Sequence, residues 1–447
     1  MKRFKSIWMV LPLALIFMAA CEDDKDNPMF SGTDVPRIFG WSTVNKYFLD
    51  IKDTLSLGMK VSPDDGATYT WRIDGVEVGN AKQLKYKFTE VKTYDIRFEV
   101  DRNGIKNYRE AEVIVIKPFV PKAYTKKVVG FMTRNGSLET INLQNITHLV
   151  ISSAVVDENY ETLVDTVFTS LNIPLIVTAA HNEGVYVMLD VSGQIDLANG
   201  GPVYANYGFY NVIKDDGMRD QAITTFLKFA EDNNFDGVNI YLNNATEGQG
   251  ILKSNITSAF FNAVAERLPQ GPNGKFFYTA TAPGGWLTSE FAPLASIEAI
   301  DWVNLQPFRY GAPDITEDAP VSGFKDLAST WEGFGLPKEK IVDGIPAYGL
   351  HYKYPDDGTT VGWGNMWLYT SYDSYKSILA RDADAHTKNK LEVDDGIFYD
   401  GHPSVQAKSE YVLEAGLGGV MVWGIENDTQ DQSKSLVNKV RTTLGNP

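Results

Sequence analysis

The chemistry available to this chain lies in carboxamides, aromatic rings and a few carboxylates placed at the ends of apolar runs. Residues 235–243 read Phe-Asp-Gly-Val-Asn-Ile-Tyr-Leu-Asn, and Asn244 follows. A carboxamide donates and accepts hydrogen bonds, which suits sugar hydroxyls, yet it has no proton to release at ordinary pH. Asn243 and Asn244 are equally good turn formers. Trp423 ends the run 419–423, where an indole is either ordinary core packing or a flat apolar face open to a ligand ring. Trp286, after Gly284-Gly285, is a second platform of that kind, and Asp190 closes the run 185–190. The five His residues show no metal-ligand spacing, and no Gly-rich phosphate loop is present, so neither metal nor cofactor is expected.

The formal charge of −16 argues against a nucleic-acid partner, which would call for clustered Lys and Arg. A chain of 447 residues with 43% apolar content buries a sizeable core and has room for more than one domain. Lys2, Arg3 and Lys5 precede an apolar run over 7–17 and then Met18-Ala19-Ala20-Cys21, the form of a secretion signal. Cys21 is the only cysteine, so an exported chain has no second thiol for an internal disulfide. Segment 1–21 resembles a bacterial lipoprotein signal ending at a lipidated Cys21, with Met in place of the usual Leu three residues earlier. Glu22-Asp23-Asp24-Lys25-Asp26, in an acidic linker over 22–35, resembles the tag that sends lipoproteins of glycan-harvesting bacteria outward. That resemblance implies an outer-membrane lipoprotein facing the cell surface; a charge run by itself is a solvated linker.

Period-two patterning with Asp-Gly and Asn-Gly turns over 36–118 predicts a small immunoglobulin-like β-sandwich, with Trp71 in its core or touching glycan. Its Tyr-x-Trp and Tyr-x-Ile-x-Phe-x-Val resemble polycystic-kidney-disease-type domains, and a rigid spacer is the expected role. A stiff linker over 119–127 follows. From 128 to 447 apolar runs alternate with amphipathic stretches, the form of an α/β fold with a βα-repeated parallel sheet. Strands are expected at 128–131, 148–152, 185–190, 237–242, 276–282, 302–305, 341–346 and 419–423, with helices such as 221–233 and 404–414. Eight strands suggest a closed (β/α)8 TIM barrel, with an open parallel sheet as the alternative that the pattern leaves. Its function would collect just after each strand, at the carboxyl face.

The run from Asp236 to Asn243 resembles the signature strand of family 18 glycoside hydrolases, Asp-Gly-x-Asp-x-Asp-x-Glu. Further resemblance comes from Val129-Gly130-Phe131, Thr147-His148-Leu149, Lys340 through Gly349, Tyr399-Asp400-Gly401 and Gly416 through Trp423, in order along the barrel. Aligned on Asp236-Gly237, the family's proton-donating Glu falls on Asn243, the Asp that steers the substrate's acetamido group falls on Tyr241, and a further Asp falls on Asn239. Where the family commonly has Met-x-Tyr-Asp, this chain has Gln306-Pro307-Phe308-Arg309. Arg309 could hydrogen-bond sugar hydroxyls or pair with Asp190. The resemblance makes Trp423 the floor under one sugar ring and places a small inserted lobe at about 350–398. The lobe's Tyr352, Tyr354, Trp363, Trp367, Tyr369 and Tyr372 form either its own core or a platform.

A barrel without its acid and steering groups implies a catalytically inactive glycan-binding lipoprotein, with Asn243, Tyr241, Phe308, Arg309, Asp190, Trp286 and Trp423 at the ligand. The expected partners are N-acetylglucosamine-containing oligosaccharides of N-glycan or chitin type and a neighbouring glycan-uptake transporter. Two alternatives stay open. One is an active endo-β-N-acetylglucosaminidase or chitinase whose acid comes from Asp190, Glu247 or Glu426. The other is a protein-interaction module without glycan affinity.

Overall fold

A computed structural model describes residues 34–42, 45–156, 163–164, 171–192, 213, 215–241, 256–308, 311–317 and 319–447. The chain divides into two compact units, a β-rich one ending at Val113 and one dominated by Ile114–Pro447. The chain from Arg37 to Ile116 carries strands β1 (Arg37–Phe39), β2 (Lys46–Asp50), β3 (Leu55–Gly58), β4 (Lys60–Ser62), β5 (Ala67–Ile73), β6 (Val76–Gly79), β7 (Gln83–Tyr86), β8 (Thr93–Arg102) and β9 (Ile105–Ile116). They form a five-stranded sheet in the order β2-β9-β8-β5-β6 and two antiparallel pairs, β1-β4 and β3-β7. Alternation drives the packing, because successive strand side chains point to opposite faces. In β8, Tyr94, Ile96, Phe98 and Val100 are buried while Thr93 and Asp95 are exposed. Trp71 has no exposed surface; its ring lies 4.5 Å from that of Phe98 and its indole N–H donates to Ala81 O at 2.8 Å. Trp71 is therefore a core residue.

The second unit is a closed eight-stranded parallel barrel, the arrangement that the alternating pattern suggests. Its staves are β10 (Lys127–Met132), β11 (His148–Val156), β13 (Tyr186–Ser192), β14 (Gly237–Tyr241), β15 (Phe277–Pro283), β16 (Trp302–Gln306), β17 (Ile341–Pro346) and β22 (Gly419–Trp423), with β12 (Leu163–Val164) hairpinned onto β11. Closure is direct: Val129 pairs with His148 on one side of β10, and Phe131 pairs with Trp423 on the other. Outward residues such as Val187, Leu189, Val238, Ile240, Leu305 and Ile345 form one large core with the surrounding helices. Inward residues Val129, Phe131, Val150, Met188, Phe277, Trp302, Val342 and Met421 form a second, smaller core. Both faces of each stave are covered, so the strands read as continuous apolar runs.

Helices α1 (Ile173–Asn182), α2 (Asp216–Asp232), α3 (Ile256–Ala265), α4 (Val321–Gly333), α5 (Tyr375–Arg381), α6 (His402–Ala415) and α7 (Leu436–Thr443) belong to this unit. Local capping sets several of their starts: Asn172, Asp215, Ser374 and Ser435 each accept a hydrogen bond from a backbone N–H in the first turn. Helix α6 ends on Gly416 at φ 78°, a left-handed cap that Gly adopts without a Cβ penalty. Between β17 and α6, strands β18 (Tyr348–Tyr352), β19 (Thr370–Ser374), β20 (Lys390–Leu391) and β21 (Gly396–Tyr399) make an antiparallel sheet in the order β19-β18-β21-β20.

Candidate functional site

Period two along the staves places Asn239 and Tyr241 of β14, and Trp302, Asn304 and Gln306 of β16, on the interior face. Deep in the barrel that face is aromatic. His148 stacks on Tyr186 at 5.3 Å and meets Phe277 and Trp302 edge-on. Burial, with Lys127 and Lys275 adding to it, pushes the His148 imidazole down to about 3, so it is neutral. This floor is structural packing.

Above it lies a polar layer. Asn239 donates to Asp190 Oδ1 at 2.6 Å and to Thr281 Oγ1 at 2.9 Å, and its carbonyl accepts from Thr279 at 2.8 Å and Asn304 at 3.1 Å. Ser152 donates to Asp190 Oδ2 at 2.7 Å. Asp190 has no exposed surface, and desolvation raises its carboxyl to about 6 against the pull of those two donors. Its hydrogen bonds are to Ser152 and Asn239, so its role is inside the layer, where it can reach neither a ligand nor solvent directly. Asn239 fits this position because an amide matches donors and acceptors on four sides at once. Ser152, Thr279, Thr281 and Asn304 were not among the sequence candidates, although polar residues at alternate places in apolar strands were the available signal.

Tyr241 comes next toward the carboxyl face. It is 3% exposed, and its hydroxyl donates to Gln306 Oε1 at 2.6 Å. Its ring meets Trp423 edge-on, with centroids 5.9 Å apart. Trp423 is half-buried, with Phe131 stacked on it at 5.0 Å, so one indole face is supported from behind. Phe308 is half-buried too, packed on the interior aromatic cluster and edge-on to Tyr348 at 6.3 Å. Its ring needs a glycine beneath it: a Cβ on Gly344 would come within 2.3 Å of Leu305 O and 3.1 Å of Phe308 Cζ. Tyr241, Phe308 and Trp423 thus share one end of the barrel. Asn243, Arg309, Glu247 and Cys21 lie outside the described residues, as does the side chain of Trp286 in the 3-10 segment Gly285–Ser296.

Two other acids have structural tasks. Asp236 accepts from His181 Nε2 at 2.7 Å, Val187 N at 2.8 Å and Asn273 Nδ2 at 2.7 Å, tying α1 and β13 to the start of β14. Glu426, 2% exposed, accepts from the backbone N–H of Thr133 at 3.2 Å and from the Thr133 hydroxyl. The lobe's aromatics separate into two sets: Tyr352 is fully buried and meets Tyr354 and Phe398 edge-on, whereas Trp363, Trp367 and Tyr372 are exposed. No cluster of His, Cys, Asp and Glu suited to a metal ion occurs among the described residues.

Comparison with known proteins places these features in a family. The human chitinase-3-like protein 2 is 21% identical over 339 residues, covering 67% of this chain and 85% of that protein. A chitinase from Bacteroides thetaiotaomicron superposes with a TM-score of 0.59 at 19% identity, over 71% of this chain and 96% of the other. The chitinase-like agglutinin of Robinia pseudoacacia superposes with a TM-score of 0.53 at 21% identity, over 71% and 99%. The model of glycosyl hydrolases family 18 matches residues 127–428, the stretch that holds every barrel stave and the polar layer. This chain belongs to glycosyl hydrolases family 18.

Proposed function

We propose that this protein is a surface-anchored glycan-binding lipoprotein in which the family barrel is kept and bond cleavage is lost, and that it captures N-acetylglucosamine-containing oligosaccharides for a neighbouring uptake system. What carries the reading is the sequence resemblance at the motif, which aligns Asn243 with the family's proton donor and Tyr241 with its steering carboxylate. Cleavage needs an acid at the departing oxygen, and its loss removes roughly two to four powers of ten in rate. The family's substrate supplies its own acetamido oxygen as nucleophile, so there is no second protein carboxylate to fall back on. Neither described candidate for a displaced acid supports cleavage. Asp190 is sealed in the polar layer and Glu426 is held by Thr133.

Binding remains chemically reasonable at the same end of the barrel. Trp423 offers a ring backed by Phe131, and Gln306 lies next to Tyr241. A few stacked rings and solvated hydroxyls supply about 4 to 8 kcal/mol, giving dissociation constants on the order of micromolar to millimolar. Calorimetry with chito-oligosaccharides and N-glycan fragments tests this. Heat should be seen with the full chain and lost with Trp423→Ala, and labelled N-glycans should show no new reducing end. Silence with every glycan would instead favour a protein partner, and accumulating products would restore an enzyme.

A further inference from the structure

Trp423 is the last residue of β22, and its backbone is held on both sides. Ala347 N donates to its carbonyl at 3.0 Å, and the next N–H along, that of Gly424, donates to Phe131 O at 2.9 Å. The chain then turns at once, with Gly424 at φ 70° in the left-handed region and a 3-10 turn over Ile425–Asn427. That turn brings Glu426 back to the end of β10. One carboxylate oxygen accepts the Thr133 backbone N–H at 3.2 Å, and the other accepts the Thr133 hydroxyl. Phe131, the ring stacked behind Trp423, is the strand partner of Trp423 and lies two residues before Thr133. The clamp therefore closes the β10–β22 seam just beyond the stacked pair. Lys376, in the first turn of α5, donates to the Glu426 carbonyl at 3.0 Å and fastens the same turn from the lobe side. Glu426 is 2% exposed, and a carboxylate so far from water is a costly way to fasten a turn. What it adds is geometry, since two charge-assisted bonds from one planar group to one residue leave the seam a single arrangement.

We infer that Glu426 and Thr133 are positioning residues for the ligand platform: their paired hydrogen bonds keep Phe131 behind Trp423 and so hold the indole at the tilt on which a sugar ring can stack. Both act through Trp423 and not on the ligand, a role that rests on the glycan-binding reading above. Stacking depends on the attitude of the ring as well as on its presence. A binding group has to be held to within roughly 0.5 Å and 10–20° by the residues that support it.

Labelling the full chain with 5-fluorotryptophan makes the platform visible, the Trp423 resonance being assigned by its absence from Trp423→Phe. Thr133→Val keeps the shape of the side chain and removes the hydroxyl. It should shift or broaden the Trp423 resonance and leave those of the fully buried Trp71 and Trp331 in place. By calorimetry it should weaken the N-acetylglucosamine tetramer roughly tenfold, the lower end of what one hydrogen bond to a charged group is worth. Thr133→Ser returns the hydroxyl and should return both the resonance and the affinity. A merely structural role would lower the melting temperature of Thr133→Val without singling out one of the nine tryptophans. If wild type binds the tetramer and Thr133→Val leaves the Trp423 resonance unmoved, with or without a change in affinity, this inference fails and the glycan-binding reading stands. If the resonance responds as described and wild type binds no glycan, Trp423 is supported as inferred and it is the glycan-binding reading that fails.

Discussion

Burial raises the carboxyls of Asp190, Asp343 and Asp428, and Asp190 is the one inside the polar layer. Asp190 is surrounded by strands and titrates near 6 in the fold, whereas an unfolded aspartate titrates near 4. Its folded value is raised, so its contribution to stability is fully present below about pH 4 and is lost as pH rises through about 6. At pH 8 the ionised form costs roughly 3 kcal/mol relative to a neutral group in the same place. Asp190→Asn mimics the protonated state: its carbonyl can accept from Asn239 while its amino group donates to Ser152. The variant should melt roughly 5 °C above wild type at pH 8, with the gap closing by pH 4. An equal difference at both pH values would show that Asp190 is not the titrating group.

At the scale of elements, the closing βα unit is held by a buried ion pair. Lys408, in the middle of α6, donates to both oxygens of Asp400 at 2.6 and 2.8 Å, and neither side chain is more than 3% exposed. Ser404, one turn earlier on α6, donates to the same carboxylate, so the first two turns of the helix are pinned to the end of β21. Removing one partner leaves an uncompensated buried charge, an expense of about 3–5 kcal/mol. Lys408→Met should therefore lower the unfolding free energy by about that amount in urea titrations, and adding Asp400→Asn should recover a good part of it. Failure of the second substitution to rescue would mean that packing of the lysine stem, and not its charge, is the contribution. The helix is legible from its periodicity, and Tyr399-Asp400-Gly401 carries a family resemblance, but the pairing with Lys408 is not legible, since eight residues of separation do not say that a strand end and a helix interior will meet.

For the whole molecule, the proposed export and lipid anchoring rest on Cys21 and the segment before it. Cys21→Ser should move the protein from the membrane fraction to the soluble one, measured by fractionation with and without detergent; unchanged membrane retention would reject the lipid anchor. The sequence by itself determined the architecture. Each barrel stave has apolar residues on both faces, so eight continuous runs call for a parallel sheet covered on both sides, and the ordered resemblance along the staves is what selects a closed barrel over an open sheet; alternation over 36–118 predicts a small sandwich. The sequence left Trp71 as core or glycan contact, and the fold buries it completely. The site was only half legible. Trp423, Tyr241 and Phe308 were nominated by position after a strand or within a motif, and they do share the barrel mouth. The tertiary structure alone decided that Asp190 and Asn239 belong to one sealed layer and that Tyr241 reaches past β15 to Gln306. Those contacts depend on how eight staves tilt and close around a common axis, and that geometry brings side chains together across the interior without leaving any spacing in the chain to announce it.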